Sequence, residues 1–403
     1  MDLIAVATPF FLLAIAAELV WGIKQKRNTY RLNDAFSSLM LGILSQARKL
    51  ITLGVGGAVY YWVTETASLS LLASDDLMTW VIAFVVYDFC YYWLHRMGHE
   101  WQLLWAAHVA HHQSEDYNLS TALRQTSTGF LLGWVFYLPL FVLGVPAEVV
   151  VTVGALNLIY QFWVHTQHIP ELGPLEWVLV TPSNHRVHHA QNDCYLDRNY
   201  GGVFIFWDRL FGTYQRELES VPCIYGIRGP IRSWNPVVAL THVYRDMWRD
   251  MRHSASWQAR LKVLFARPGW QPAEAARIDP RPKSDLRHFE RFDPPTTQWV
   301  RYYAGSQLLL ATILLIFTQL NPVGIALGWG VWAFLLLTGV TTAWWLEDRA
   351  EHWLRIVDLA RLALLAAAAQ AFTGIAWGFA IALVSGVGVL LLLVMSQQHS
   401  TSA

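Results

Sequence analysis

Histidines are concentrated in one part of the chain, where ten of the fifteen fall between positions 95 and 189. Three short motifs contain eight of them: HRMGH holds His95 and His99, HVAHH holds His108, His111 and His112, and HRVHH holds His185, His188 and His189. Residues three and four apart share a helix face, so each motif directs its imidazoles to one side. Imidazole binds Fe, Zn, Cu and Ni, and eight rings exceed the four ligands of one tetrahedral zinc. The motifs therefore predict two metals sharing one ligand set.

The histidines have two other possible interpretations. A lone HxxxH motif is more often an interfacial helix surface than a metal site, but three motifs at the ends of apolar runs need a common partner, since buried polar rings near a membrane are costly. A pH-sensing cluster would normally face carboxylates rather than repeat at ligand spacing. Metal binding is the favoured interpretation.

Further residues near the motifs are candidates for the same site. His165 ends an apolar run and is predicted as a ninth ligand, whereas the sequence leaves His168 undecided. Glu100 directly follows His99 and either orients a ligand through its second N–H or is an ordinary exposed helix residue. The isolated histidines are expected to be solvated: His242, His253, His288, His352 and His399.

The composition predicts that a membrane surrounds much of the chain. Of the 403 residues, 54% are hydrophobic and 14% are charged, against about 25% charged in a typical soluble domain. The net charge is zero, which argues against a nucleic-acid partner. The three cysteines are scattered without a CxxC pair, so a disulfide framework is not expected and the reactive part is predicted to face a reducing compartment.

Long apolar runs predict about nine membrane spans and a cytoplasmic C-terminus. The first run ends in Lys24, Lys26 and Arg27 and is interpreted as a retained helix rather than a signal peptide. Basic residues precede the second run, and an acidic loop precedes the third, which places the histidine motifs on the cytoplasmic side. The predicted spans are 3–23, 51–69, 77–94, 130–145 and 147–164 as a hairpin, 301–320, 323–345, 356–373 and 375–396.

These features predict an all-α, polytopic integral membrane protein with a cytoplasmic, helical, histidine-rich cap that holds a dinuclear metal site. Four segments are expected: N-terminal membrane helices over 1–84, a metal-binding core over 85–216, a cap extension and linker over 217–298, and C-terminal membrane helices over 299–403.

Three stretches around the motifs resemble the fatty acid hydroxylase and sterol desaturase superfamily of membrane di-iron enzymes. They are HRMGHE, AAHVAHHQSEDYNLSTALRQ and TPSNHRVHHAQNDCYLDRNYGGVFIFWDRLFGTY. The resemblance covers about residues 85 to 216. Within the superfamily, residues 115–125 and 161–174 are more similar to the alkylglycerol monooxygenases than to the sterol desaturases.

The resemblance implies an O2-dependent monooxygenase with two Fe ions that hydroxylates a lipid C–H bond. The alkylglycerol monooxygenases imply an ether lipid as substrate, hydroxylated at the carbon next to the ether oxygen, with tetrahydrobiopterin as reductant, although no pterin pocket is evident in the sequence. By the same resemblance the motif histidines are iron ligands, and Glu100, Asn118 and Tyr200 are candidate residues near the site. Asn118, Arg124 and Gln125 either bind a lipid head group or simply anchor a helix.

Two other functions remain open. A desaturase would use the same histidines and metals, so only its product distinguishes it from a hydroxylase. A transporter or scaffold would need ionisable residues along a membrane path, whereas the charges here are expected at helix ends. An apolar substrate is expected to reach the metals laterally from the bilayer.

Overall fold

A computed structural model describes residues 3–47, 55–281, 283–321, 323–349, 352–372 and 375–401. Within these ranges the chain forms eighteen α-helices, some 3-10 turns and two isolated β-bridges, with no β-strand, so the all-α prediction is confirmed. The α-helices are α1 (Leu3–Lys24), α2 (Leu32–Ala47), α3 (Val55–Thr66), α4 (Leu77–Glu100), α5 (Gln102–Ala106), α6 (Val109–His112), α7 (Leu119–Ala122), α8 (Leu138–Leu143), α9 (Ala147–Trp163), α10 (Pro182–His189), α11 (Phe206–Leu210), α12 (Pro236–Arg252), α13 (Trp257–Phe265), α14 (Ala273–Ile278), α15 (Gln298–Leu320), α16 (Ile325–Leu346), α17 (His352–Phe372) and α18 (Ile375–Thr401).

The chain divides into two compact units. The first comprises Met1–Tyr30, Leu53–Pro230 and Leu240–Glu290, and the second comprises Arg31–Thr52, Ile231–Ala239 and Arg291–Ala403. All of the histidine motifs belong to the first unit. The four segments expected from composition stay a prediction.

Helix α4 supports the first unit. It begins at the N-cap Asp76, whose side chain accepts a hydrogen bond from the backbone N–H of Met78, and it continues beyond its apolar run to carry His95 and His99. It packs against α9, where a Cβ on Gly154 would lie 2.8 Å from the Tyr87 hydroxyl. Glycine is therefore required for this close approach of the two helices.

The segment before α9 differs from the sequence prediction. Residues 130–145 were expected to form a membrane span, but the chain makes two 3-10 turns, Gly129–Leu131 and Gly133–Tyr137, and then the six-residue α8. Glycine at position 133 and proline in the first turn of α8 interrupt a continuous helix. Gly144 then ends α8 in the left-handed conformation, with φ of 76°.

In the second unit, α2 packs against α15 and α16, and α18 packs against α15 and α17. The sequence indicates only a basic flank in the region of α2, yet Phe36, Met40 and Leu41 are fully buried in this unit. A Cβ on Gly339 of α16 would lie 2.9 Å from the Met40 side chain, so glycine lets α2 and α16 approach closely. Helix α2 is thus part of the C-terminal bundle.

Four helices of the described ranges, α1, α4, α15 and α16, are long and apolar enough to cross a membrane, and the protein is an integral membrane protein. Helix α9 and the apolar parts of residues 133–143 and 380–394 are shorter. Of the expected span 51–69, residues 51–54 lie outside the described ranges. The charges are expected to cluster at helix ends, but Glu18, Asp88, Asp358 and Arg361 are exceptions that are buried within apolar helices.

Candidate metal centre

The nine predicted ligands gather into two neighbouring clusters. In each cluster, one nitrogen of every ring lies within 4.8 Å of the corresponding nitrogens of the others. The five-histidine group consists of His95, His99, His108, His112 and His188, and the four-histidine group consists of His111, His165, His185 and His189. The HVAHH and HRVHH motifs each contribute to both groups, so the two potential metal positions share their supporting helices.

Backbone carbonyls fix the orientation of several rings. The Nδ1 atoms of four histidines lie within hydrogen-bond distance of a carbonyl oxygen, and a carbonyl can only accept, so each Nδ1 carries the proton. The pairs are His95 with Tyr200 at 2.8 Å, His111 with Arg124 at 2.9 Å, His165 with Gln161 at 2.8 Å and His188 with Arg198 at 3.0 Å. The Nε2 lone pairs of these rings are consequently available to a metal, as in known histidine sites.

The distance between two of these lone pairs tests whether the rings fit a metal. His111 and His165 both donate through Nδ1, and their Nε2 atoms face each other at 3.3 Å. Two bare lone pairs repel at this distance unless a cation lies between them. A metal with nitrogen ligands at about 2.0–2.1 Å separates adjacent ligand atoms by roughly 3.0–3.4 Å. The geometry of the four-histidine group therefore fits a metal ion.

Other ring nitrogens show the same spacing. In the five-histidine group, the Nε2 atom of His108 lies 3.1 Å from that of His95 and 3.0 Å from that of His112. In the four-histidine group, the Nε2 atom of His185 lies 3.1 Å from that of His165 and 3.2 Å from that of His189. Both groups thus have the compactness of a coordination shell.

The surroundings keep these imidazoles neutral. Burial lowers the pKa of His111 to about 4, and burial together with neighbouring imidazoles lowers the pKa of His185 and His189 well below the usual value. A neutral ring is the form that binds a metal. The histidine clusters and their environment indicate a metal site.

A loop after α10 contacts α4 and supplies one of the orienting carbonyls. The carboxylate of Asp208 accepts hydrogen bonds from the backbone N–H groups of Tyr200 at 2.7 Å and Gly201 at 2.8 Å. Asp88 on α4 accepts from the backbone N–H groups of Val203 at 2.8 Å and Phe204 at 3.1 Å. These two buried carboxylates, which the sequence analysis did not identify, hold the Tyr200 carbonyl against His95.

Helix α10 carries the HRVHH motif and starts with a capping box. The Thr181 hydroxyl accepts from the Asn184 backbone N–H, and the Asn184 side chain accepts from the Thr181 backbone N–H. On the same helix, Arg186 forms an ion pair with Glu217 at 2.7 Å. Its guanidinium also donates to the carbonyls of Thr166 and Ile169, which connects α10 to the loop that carries His165.

Tyr200 lies directly beside the five-histidine group. Its ring is 5.4 Å from the ring of His99, measured between centroids, and 6.0 Å from those of His95 and His188. The side chain is fully buried, and its hydroxyl has no hydrogen-bond partner among the described residues. Burial raises the pKa of Tyr200, so the hydroxyl keeps its proton. The Tyr200 hydroxyl is therefore a buried donor that can donate a hydrogen bond to a ligand bound beside the five-histidine group.

Glu100 and Asn118 make defined structural contacts. Glu100 is half-buried and pairs with Arg96 at 2.9 Å, one helical turn earlier. Asn118 caps α7 by accepting from the Ser120 backbone N–H, and its amide donates to the Thr29 carbonyl at 2.8 Å. Their roles in the reaction stay predictions.

A contact of Arg124 with a lipid head group is not supported by its position. Arg124 is completely buried, and its guanidinium donates to the Ala110 carbonyl at 2.7 Å and to the Gln113 side chain at 3.2 Å. The Gln125 amide donates to the Ala122 carbonyl at 3.0 Å. Arg124 instead stabilises the HVAHH segment, and its own carbonyl orients His111.

The remaining histidines lie outside both groups. His168 is half-buried near α1, 3.4 Å from the position that a Cβ on Gly22 would occupy. His253 and His288 are exposed as expected. His242 is buried and faces the Gln113 side chain, so the prediction that it is solvated is wrong. Its burial results from tertiary packing, which the local sequence does not reveal. The side chains of His352 and His399 lie outside the described residues.

Glu18 is a residue that the sequence analysis missed. It lies within the apolar α1, yet it is buried and accepts hydrogen bonds from the Thr166 hydroxyl at 2.5 Å, the Leu119 backbone N–H at 2.8 Å and the Tyr30 hydroxyl. It thereby connects α1 to α7 and to the residue that follows His165. A lone acidic residue inside an apolar run was the available signal, since such residues are rare in spans.

Comparison with known proteins agrees with this site. The Fatty acid hydroxylase family model matches residues 80–213, which contain all nine histidines. The alkylglycerol monooxygenase of Homo sapiens is 42% identical over 275 residues, covering 68% of this chain and 61% of the relative. The alkylglycerol monooxygenase of Xenopus tropicalis is 37% identical over 311 residues, covering 77% of this chain and 69% of the relative. An ornithine lipid hydroxylase of Rhizobium tropici is 30% identical over 155 residues, covering 38% of this chain and 46% of the relative. No solved structure matches the chain significantly.

The chain belongs to the fatty acid hydroxylase family, within the branch that contains the alkylglycerol monooxygenases. The matching part spans about three fifths of the human relative. The family assignment made from the three histidine motifs is confirmed.

Proposed function

We propose that the protein is a di-iron, O2-dependent monooxygenase that hydroxylates a lipid C–H bond. The observation that carries the proposal is the division of nine buried histidines into groups of five and four, each with ligand spacing. An all-imidazole set suits iron, and five rings around one position exceed a tetrahedral zinc shell. Iron bound in this way would supply the oxidising chemistry.

The residues of the chain would orient and shield the reacting groups. The four Nδ1 hydrogen bonds to carbonyls hold rings in the binding tautomer, and the buried surroundings limit access of water. The Tyr200 hydroxyl is available to donate a hydrogen bond to a reacting group beside the five-histidine group. Glu100 and Asn118 would act indirectly, through the ends of α4 and α7.

We propose an ether lipid as the substrate, because the relatives with 37–42% identity are named alkylglycerol monooxygenases. Hydroxylation would occur at the carbon next to the ether oxygen. One oxygen atom of O2 enters the C–H bond and the other leaves as water, with two electrons and two protons from a reductant, which we propose to be tetrahydrobiopterin. The apolar chain would enter laterally from the bilayer.

A desaturase is the second candidate. A sterol desaturase of Aspergillus fumigatus is 30% identical over 131 residues, covering 32% of this chain and 37% of the relative, so likeness to known proteins does not by itself separate the two reactions. The product separates them, because a desaturase leaves the substrate two hydrogens lighter without adding oxygen.

The test is turnover of a synthetic alkylglycerol by iron-loaded protein in lipid nanodiscs, with tetrahydrobiopterin and ¹⁸O2. We expect an aldehyde and glycerol from collapse of the hydroxylated ether, with ¹⁸O in the trapped product. His185→Ala should abolish this turnover, whereas His288→Ala, at an exposed position, should not. An alkenyl product would favour the desaturase, and no product from any lipid tested would contradict the monooxygenase.

A further inference from the structure

The face of α13 opposite the protein interior is apolar. Trp257, Leu261 and Phe265 are 68%, 48% and 48% exposed. They are spaced by four residues, which places them within about 80° of one another around the helix. The opposite side is buried through Val263, which packs with Ala106 and Met247. Helix α13 therefore presents a continuous apolar stripe away from its own unit.

Cationic residues flank this stripe on both sides. At about 100° per residue, Arg260 lies roughly 60° to one side of Trp257, and Lys262 lies roughly 60° beyond Phe265. Both side chains are exposed, and the Lys262 ammonium lies 4.7 Å from the centre of the Trp270 ring. A tryptophan-containing apolar stripe between cations is the pattern of a helix lying in a membrane interface.

The C-terminal end of α13 is joined to the end of a membrane-spanning helix. The backbone N–H of Gln102, just after α4, donates to the Ala266 carbonyl at 2.9 Å. Trp101, the C-cap of α4, meets the Phe265 ring edge-on with centroids 5.4 Å apart and is itself 37% exposed. The apolar stripe thus continues from the point where α4 ends. Because α4 is long and apolar enough to cross a membrane, its end is expected near a bilayer surface.

We propose that α13 is an interfacial helix that inserts Trp257, Leu261 and Phe265 into an anionic phospholipid surface. Arg260 and Lys262 contact the head groups, and the apolar side chains reach the acyl boundary. Helix α13 packs on α5, whose Trp105 ring lies 5.0 Å from that of His99. The bilayer surface would consequently lie close to the five-histidine group. The proposal depends on neither metal nor activity.

The experiment places an environment-sensitive dye on the stripe. Leu261→Cys is labelled in a background without Cys90, Cys194 and Cys223 and reconstituted in nanodiscs, with His288→Cys, at an exposed polar position, as the matched control. We expect brominated acyl chains to quench the dye at 261 several-fold more than the dye at 288, and aqueous iodide to do the reverse.

Two results would overturn the proposed membrane contact, and a third would overturn the role of Arg260 and Lys262 in binding anionic lipid. Equal iodide access at 261 and 288 would mean that the stripe faces water. Protection of 261 from both quenchers would mean that a protein, such as a second copy of the chain, covers it. Phosphatidylglycerol should increase quenching by brominated chains over phosphatidylcholine alone, and Arg260→Gln with Lys262→Gln should remove that increase. An unchanged lipid preference in this double variant would refute the role of the cations.

Discussion

At the residue scale, the four carbonyl-bound histidines show how a few backbone contacts prepare a metal site. A ring with its proton fixed on Nδ1 has one remaining lone pair, and the carbonyl that accepts the proton sets the direction of that lone pair. The spacing of the motifs predicted which rings would come together. It did not predict the carbonyls of Tyr200, Arg124 and Arg198, because these come from loops whose positions depend on tertiary contacts.

His165→Ala should remove metal from the four-histidine group. The substitution deletes one of four rings and leaves the Nε2 atoms of His111 and His185 without their shared partner. We expect iron to fall from about two to about one per chain, and turnover to fall at least 100-fold, by elemental analysis and product assay. His253→Ala, at an exposed position, is the control and should retain both. Full metal content in His165→Ala would remove His165 from the ligand set.

Glu18→Gln should weaken the same group from a distance. The Glu18 carboxylate accepts three hydrogen bonds, from Thr166, Leu119 and Tyr30. A glutamine amide has only one acceptor oxygen, so at least one of these donors loses its acceptor, at a cost of about 1–3 kcal/mol. Displacement of Thr166 moves the adjacent His165, and we expect about 10-fold weaker metal binding in chelator competition.

Glu18→Asp and Glu171→Gln separate positioning from general destabilisation. Aspartate keeps the carboxylate and should restore part of the metal affinity, and Glu171 is an exposed partner of Arg216 whose loss should have little effect. If Glu18→Gln lowers only the unfolding temperature and leaves metal affinity unchanged, Glu18 stabilises α1 without positioning His165.

At the element scale, the sequence predicted the long apolar helices well and the broken ones badly. The predicted spans 3–23, 301–320 and 323–345 lie close to the observed bounds of α1, α15 and α16, because an apolar run of twenty residues has few alternatives. The span 77–94 begins with α4 but ends six residues before the helix does. The 3-10 turns before α8 and the packed α2 were missed. Gly133 and Pro139 interrupt the helix in residues 130–145, and the hydropathy of that run does not show the interruption. Helix α2 is identified only by its packing against α15 and α16.

The C-terminal bundle contains a buried ion pair that was also missed. Arg361 and Asp358 on α17 are 3.0 Å apart and almost completely inaccessible. Arg361 also donates to Thr338 at 2.8 Å, Gln307 at 2.8 Å and Tyr303 at 3.1 Å, which connects α17 to α15 and α16. Such a pair is stable only with all its donors and acceptors satisfied.

Asp358→Asn should therefore destabilise the bundle by about 3–5 kcal/mol, because it leaves the buried guanidinium without a counter-charge. The measurement is thermal or denaturant unfolding of the protein in nanodiscs. Asp358→Leu with Arg361→Met should recover much of the loss, since removing both charges avoids an unpaired one. An unfolding midpoint of Asp358→Asn equal to that of the unmodified protein would show that the pair contributes nothing to stability. Arg216→Gln, in an exposed ion pair, is the control.

At the scale of the whole molecule, the length of α4 limits where the reaction can occur. Its 24 residues extend about 36 Å, so the acidic loop at Asp75 and Asp76 and the histidines at its other end lie on opposite sides if α4 crosses the bilayer. We propose that the histidines are cytoplasmic, because Lys24, Lys26 and Arg27 lie at the end of the preceding α1, and basic flanks stay inside.

Cysteine accessibility in intact cells tests this orientation. Single reporters replace Ser74, exposed before α4, and His288, exposed in the polar segment after α14, in a background without Cys90, Cys194 and Cys223. We expect an impermeant maleimide to label position 74 from outside and position 288 only after the membrane is opened. Position 74 precedes α4, whereas position 288 follows Ser284, whose backbone N–H donates to the Arg228 carbonyl. Arg228 in turn pairs with Asp193, four residues after His189. Labelling of both from the same side would contradict a membrane-crossing α4, and the reverse pattern would place the metal centre outside the cytoplasm.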